Sequence, residues 1–208
     1  MLRENVSGAV IRRMPKYFRY LDELHQNGVA KISSRALAEC MGLTASQIRQ
    51  DFNCFGGFGQ QGYGYNVETL MNEIASIIGV NRKHKAIIIG VGNIGRALIH
   101  NFDFYKCGFN LIAAFDADRA LCGANIGGIQ VHHIDELEKF YYKTPIEVAI
   151  MTLPKAPAPQ MAERLAGMGV RGIWNFTNMD LKMTNKSVMV EDVHFADSLM
   201  TLCYRISE

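Results

Sequence analysis

A chain of 208 residues holds one large domain or two small ones. With 49% hydrophobic and 20% charged residues it has the composition of an ordinary globular protein, which excludes disordered and fibrous classes. A net charge of +2 neither demands nor forbids a polyanionic partner. The cysteines (Cys40, Cys54, Cys107, Cys122 and Cys203) lack C-x-x-C spacing, so free thiols in a reducing cytoplasm are expected rather than zinc or a disulfide frame. No apolar run reaches transmembrane length, and the first residues, with Arg3 and Glu4, do not read as a signal peptide.

The first eighty residues predict helices. Residues 11–26 carry Met14, Tyr17, Phe18, Leu21 and Leu24 as a helical stripe that stops at Asn27-Gly28. Ser33 and Ser34 offer an N-cap for residues 35–40, with Leu37, Ala38 and Met41 inward; Gly42 ends that helix, and Thr44 caps a third over residues 45–52. Two short helices around a glycine-containing turn form the helix-turn-helix pattern, although an accessory or dimerisation domain of packed helices would read the same way. The second of them would expose Ser46, Gln47, Arg49 and Gln50 on one side. Gln and Arg can pair with adenine and guanine edges in the major groove, and Thr44 and Ser46 at the helix start can meet phosphate.

Residues 55–65 alternate glycine with aromatics around Gln60 and Gln61, as expected for the hairpin wing of a winged helix. Residues 67–78 resume as an amphipathic helix with Leu70, Met71, Ile74, Ile77 and Ile78 inward. Arg12, Arg13, Lys16 and Arg19 give the first helix a basic side, which reads either as phosphate-facing or as a solvated face.

From Lys85 the pattern alternates strand and helix, the rhythm of a parallel sheet. A β-branched strand, residues 86–89, runs into Gly90-Val91-Gly92-Asn93-Ile94-Gly95 and then a helix-forming segment. In that context the three glycines allow a tight turn, a close backbone approach to a pyrophosphate, and close packing of helix on strand. Asp116 ends a second strand (109–115) and lies 21 residues past Gly95 (116 − 95), where such folds hold the ribose hydroxyls of NAD. Its carboxylate would repel the 2′-phosphate of NADP, so NAD(H) is the expected cofactor, with Arg119 close by in sequence.

Further strands are expected at 129–131, 146–153 and 170–176, and helices at 134–142 and 158–168. Thr152-Leu153-Pro154 and Asn175-Phe176-Thr177 fall at the carboxyl edge of the sheet, where ligands of open α/β folds bind. His132 and His133 are adjacent on a strand, point to opposite faces and are expected to be surface residues rather than a metal pair. His194 is a weak candidate for a general acid, since nothing in the sequence pairs it with an orienting carboxylate. No metal site and no enzymatic turnover are therefore expected. A small NAD-dependent oxidoreductase with a helical accessory domain remains the alternative.

These residues resemble the Rex family of redox-sensing transcriptional repressors. The most specific stretch is residues 33–70, followed in family order by GVGNIG, Asp116, Thr152 to Pro154 and Gly172 to Phe176. The resemblance implies an α/β fold: an N-terminal winged helix-turn-helix (1–80), a Rossmann-type parallel-sheet domain binding NAD(H) (81–190) and a C-terminal helix swapped between subunits of a homodimer (191–208). It implies cytoplasmic binding of double-stranded operator DNA in the apo or NAD⁺ state and release by NADH.

The implied cofactor residues are Gly90, Val91, Gly92, Asn93, Ile94, Gly95, Asp116, Thr152, Leu153, Pro154, Asn175 and Phe176, with Phe195 placed against the partner's nicotinamide. The implied DNA contacts are Ser33, Ser34, Thr44, Ser46, Gln47, Arg49, Gln50, Gln60 and Gln61.

Several positions depart from the family pattern. A basic residue commonly follows the recognition-helix arginine, where this chain has Gln50, and the wing carries Gln60-Gln61 in place of Lys or Arg. Lower, less salt-sensitive DNA affinity is expected, and a Rex-like paralogue with weak DNA binding is a further alternative. Asn101 stands for a tyrosine, Asn178-Met179 for Pro-Val, and His194 for an acid that would pair with Arg19, leaving Asp192 or Asp197 as substitutes.

Overall fold

The computed structural model describes residues 6–58 and 64–207. The chain divides into two compact units, Met1–Asn81 and Arg82–Glu208.

In the first unit, α1 (Gly8–Gln26) buries Val10, Met14, Tyr17 and Leu21, the 4-3-4 spacing of one helical face. Strand β1 (Lys31–Ile32) leads to α2 (Ser34–Met41), whose first turn is capped by the Ser33 hydroxyl accepting from the Ala36 amide at 3.1 Å. Gly42, at φ 65°, ends α2 in the left-handed conformation that a side chain resists. Thr44 then caps α3 (Ala45–Asn53) by accepting from Gln47 at 3.1 Å. The helix-turn-helix is thus formed where the capping residues predict it. Strand β2 (Tyr65–Asn66) precedes α4 (Val67–Ile78), which Asn66 caps and Gly79 ends. Helices α1 and α4 pack along one another, and Phe52 of α3 fills the core with its ring edge-on to Tyr17, Phe58 and Tyr65.

The expected wing differs in its described part. Residues 55–58 leave α3 without forming a strand, and β2 pairs antiparallel with β1 instead, Ile32 facing Tyr65. Gln60 and Gln61 lie outside the described residues.

In the second unit the elements run β3 (His84–Ile89), α5 (Asn93–Asn101), β4 (Phe109–Asp116), β5 (Asn125–Ile126), β6 (Ile129–His133), α6 (Leu137–Lys143), β7 (Val148–Met151), α7 (Ala158–Met168), β8 (Gly172–Asn175), β9 (Met189–Asp192) and α8 (Phe195–Ile206). Among the described residues seven strands form one sheet in the order β5-β6-β4-β3-β7-β8-β9, parallel except for β5. From β6 to β9 this is the doubly wound order 3-2-1-4-5-6, with the direction of winding reversing at β3. Alternation along β3 divides the core: Ile87 and Ile89 pack toward Leu137, Leu165 and Ile173, while Ala86 and Ile88 pack toward Ile99, Val131 and Phe176.

Three sequence expectations need correction here. Strand β9 follows β8 in the sheet before the last helix begins, so the boundary expected after residue 190 cuts through a strand, and the C-terminal helix expected over 191–208 starts at Phe195. His132 and His133 are half-buried rather than surface residues, because β6 lies inside the sheet. The His132 ring packs between Phe115 and Phe140, at 5.5 and 5.4 Å. Trp174, the only tryptophan, is half-buried in β8 with its ring 5.3 Å from Phe102 and 4.5 Å from Phe176.

Candidate functional site

At the carboxyl end of β3 the chain turns through Gly90 at φ 97°. A Cβ there would meet the Thr152 carbonyl at 2.8 Å, so only glycine fits. A Cβ on Gly95 would lie 2.2 Å from the Gly90 carbonyl, which shows how closely α5 is drawn onto its strand. Gly92 is the opposite case: it is exposed, and nothing lies within 4 Å of the position its Cβ would take. Gly92 is also the N-cap of α5, with no side chain to accept from the first turn, and Asn93 and Ile94 are exposed beside it. An exposed helix N-terminus with uncapped amides suits an anion.

The loop carbonyls are turned inward. Thr152 donates its hydroxyl to the Gly90 carbonyl at 2.6 Å, and Arg96 Nε donates to the Val91 carbonyl at 2.9 Å. Asp116 closes the other side: Oδ2 accepts from the Val91 amide at 2.6 Å and Oδ1 from the Asp118 amide at 2.9 Å. Each carboxylate oxygen keeps acceptor capacity for a further hydroxyl. The edge therefore combines amides free to meet an anion, a backbone open to close approach and an acid with acceptor capacity for a diol, a set whose chemistry suits a dinucleotide.

The remaining edge residues differ in their roles. Leu153 is half-buried and Pro154 exposed in the turn after β7, and the Leu153 side chain packs beside Gly90. Asn175 is fully buried, and its amide is already engaged. Its Nδ2 donates to the Met179 carbonyl at 2.8 Å and to Asp192 at 2.6 Å, while its Oδ1 accepts from the Thr177 amide and hydroxyl. Asn175 thus holds the 176–179 turn against β9 rather than facing an opening. The same bond occupies Asp192, one of the two acids expected to substitute for the family's acid.

Phe195 is 62% exposed at the start of α8, its ring 6.1 Å from that of the buried Phe176. Contrary to the sequence expectation, His194 does have a carboxylate: Nε2 lies 2.9 Å from Asp180 Oδ1. Asp180 is 80% exposed, which makes this a solvent-facing pair. Asn101 is exposed and donates to the Ala97 carbonyl within α5. Helix α8 buries none of its residues and exposes Phe195, Leu199, Met200, Leu202, Tyr204 and Ile206.

In the first unit α3 carries Ser46, Arg49 and Gln50 exposed and Gln47 half-buried, so these residues do share an open side. Arg49 accepts direction from α2, its Nη1 donating to the Ser34 hydroxyl at 3.1 Å. Two basic residues of α1 are not free for phosphate. Arg13 is bound to Asp51 of α3, and Lys16 donates to the Met41 carbonyl at 2.8 Å. Arg12 and Arg19 stay exposed. Sequence reasoning missed Asp51, although its spacing three after Ile48 and its position next to Phe52 put it on the buried face of α3. Among the described residues no group of three or more His, Cys, Asp or Glu side chains is placed to hold a metal ion.

Comparison with known proteins supports both halves of this picture. Residues 5–53 match the family described as "Putative DNA-binding protein N-terminus", and residues 81–179 match that described as "CoA binding domain". "Redox-sensing transcriptional repressor Rex" of Thermoanaerobacter pseudethanolicus is 49% identical over 99% of this chain and 92% of its own. The protein of the same name from Clostridium acetobutylicum is 47% identical over 99% and 96%. The solved structure of "RSP in complex with beta-NAD+ and operator DNA" matches with a TM-score of 0.91 and 48% identity, covering 98% of this chain and 94% of that one. That of "RSP in complex with beta-NADH" matches with a TM-score of 0.89 and 45% identity, covering 98% and 95%.

Proposed function

The chain belongs to the Rex family of redox-sensing transcriptional repressors, and from that premise we propose that it binds operator DNA as a homodimer and lets go when it binds NADH. The observation that carries the cofactor half is the contrast within the glycine loop. Gly95 is closed against the Gly90 carbonyl, whereas Gly92 opens toward solvent above uncapped amides. Gly90 to Gly95 would hold the pyrophosphate, Asp116 the adenosine ribose, and Thr152, Leu153 and Pro154 would line the way to the nicotinamide. Phe176 and Asn175 would act from behind, by shaping the turn after β8.

For the nucleic-acid half, α3 would enter the major groove with Arg49 and Gln50 on base edges, while Ser33, Ser34, Thr44, Ser46, Gln47 and the wing residues Gln60 and Gln61 contact backbone or neighbouring bases. Residues 1–80 form the DNA-binding part of this reading, residues 81 onward through β9 the cofactor part, and α8 the dimerisation segment. The exposed apolar face of α8 supports exchange of that helix between subunits, which would carry Phe195 to the partner's nicotinamide. Five unpaired thiols suit a cytoplasmic repressor.

A switch requires only that the reduced cofactor favour one arrangement of the two DNA-binding units. Desolvating a cationic ring against apolar side chains is costlier than placing a neutral one there. NADH would therefore select the closed dimer more strongly than NAD⁺ does. By linkage, whatever factor NADH takes from DNA affinity, DNA takes from NADH affinity.

Fluorescence anisotropy on a labelled Rex-type palindrome, titrated separately with NADH and NAD⁺, tests this function. Binding that NADH abolishes and NAD⁺ spares is the expected result. Operator binding indifferent to both cofactors overturns the switch. Steady turnover of NADH with a hydride acceptor would favour an oxidoreductase built on the His194–Asp180 pair.

A further inference from the structure

A second group of charges stands where β4 and β6 end, and the reading above does not use it. Arg119 opens the 3₁₀ turn Arg119–Leu121, three residues beyond Asp116. Asp135 lies in the 3₁₀ turn Ile134–Glu136, two residues beyond His133, which is the register partner of Asp116. Both turns therefore leave neighbouring strands on the ribose side of the sheet edge. Arg119 Nη2 is 3.7 Å from Asp135 Oδ2. The same oxygen is 3.1 Å from His133 Nδ1, and His133 Nε2 is 3.2 Å from the Ala117 carbonyl. Asp118 is not part of this group, since its Oδ1 accepts from the Ala120 amide.

In folds of this kind an arginine beside the acid at the end of the second strand is what accommodates a 2′-phosphate. Arg119 has that place and chemistry, and its side chain is 81% exposed. Resting on the reading that NAD(H) occupies this edge, we infer that Asp135 is a second determinant of cofactor choice: it draws the Arg119 guanidinium aside and so denies NADP(H) a phosphate partner. Asp116 excludes the 2′-phosphate by its own charge, and Asp135 does so by occupying the nearby cation. An exposed ion pair is weak by itself. The tether therefore sets an upper limit on what a phosphate, which pairs with arginine through charge-assisted bonds, gains when Arg119 is released.

The experiment is a titration of the full-length protein with NADH and with NADPH, following cofactor fluorescence. It compares the parent with Asp135→Ala, Arg119→Ala and the double variant. Asp135→Ala should raise NADPH affinity relative to NADH by about two- to fivefold, the range that release from an exposed ion pair supplies. The double variant, which restores the parent's net charge, should return to the parent's ratio. An unchanged ratio in Asp135→Ala overturns the inference, as does an equal rise in the double variant, which would show that the gain does not come from Arg119. Asp135→Asn, which keeps the shape of the side chain, replaces Asp135→Ala if the latter folds poorly. A parent that binds neither cofactor would sink the cofactor reading itself, whereas NADH binding with an unmoved ratio sinks only the role of Asp135.

Discussion

Arg13 grips Asp51 with two hydrogen bonds of 2.7 Å, from Nε and Nη2 to the two carboxylate oxygens, and so fastens α1 to α3. Tyr17 adds its hydroxyl to Asp51 Oδ2 at 2.7 Å. Asp51 is only 3% exposed, so the arrangement neutralises an acid that burial would otherwise penalise. Burial, with Asp51 next to it, pushes the Tyr17 hydroxyl well above its usual range, and the bond to Asp51 holds Arg13 charged. Asp51→Ala should cost the first unit about 2–4 kcal/mol, because Arg13 and Tyr17 lose a charged acceptor. Tyr17→Phe should cost about 1 kcal/mol. Urea unfolding followed by far-UV circular dichroism checks both, and equal losses would show that the ion pair contributes little.

The two loop glycines should fail differently. At Gly92, φ is −74° and space is open, so Gly92→Ala should leave the melting temperature unchanged. Its methyl group would instead stand where a pyrophosphate must approach, and NADH affinity should fall at least about tenfold. Gly95→Ala has no room against the Gly90 carbonyl and should lower stability as well as binding. Thermal melts paired with NADH titrations separate the two effects.

Gln50 is exposed on α3 and uncharged. Gln50→Arg should tighten operator binding and make the slope of log affinity against log salt steeper by about 0.9 for each phosphate newly neutralised. Anisotropy across a potassium chloride series measures this directly. A shift in affinity with an unchanged slope would point to a base contact instead.

Helix α8 can be tested in the same way. Leu199 and Leu202 are 68% and 53% exposed in one chain. A carboxylate introduced there, as in Leu199→Asp, should turn a dimer into a monomer by light scattering and abolish binding to a two-half-site operator. An unaltered mass would mean that another surface joins the subunits.

Two acids make the stability of the second unit depend on pH on the acid side. Glu138 is held below the ordinary carboxyl value of 4.5 by hydrogen bonds from Arg164, and Glu147 by its bond to His84 at 2.7 Å. A carboxyl whose folded pKa is depressed lends stability that is complete above its unfolded pKa and vanishes as pH falls through the folded one. Stability should therefore be level down to about pH 5 and decline below about 4.5, with a gentle slope because both side chains are partly exposed. Arg164→Gln should flatten that decline in denaturation curves between about pH 3 and 5.

Elements with strong punctuation were legible from sequence. Helix α4 runs from Val67 to Ile78 as expected because Asn66 caps it and Gly79 ends it, and α7 is likewise closed by Gly169. Strands β1, β5 and β9 are not legible, since two to four residues carry no readable period; β1 and β9 are defined only by pairing with β2 and β8 across longer stretches of chain, and β5 by a short hairpin with β6. At the site, Gly90, Gly92, Gly95 and Asp116 follow from chemistry that demands those residue types. The inward role of Asn175 was hidden, because its partners Asp192 and Met179 meet it only through β9 and the turn before it. Arg13 read as part of a basic face for the same reason: its acid lies 38 residues away.

The placement of Trp174 has a practical side. Reduced nicotinamide absorbs light in the band where tryptophan emits, and oxidised nicotinamide does not. With its one indole in β8 of the nucleotide-binding unit, between Phe102 and Phe176, the chain carries an internal optical gauge. Arrival of the reduced coenzyme can be followed as quenching by energy transfer, in unlabelled protein, while DNA-dependent changes in the tryptophan-free first unit stay dark.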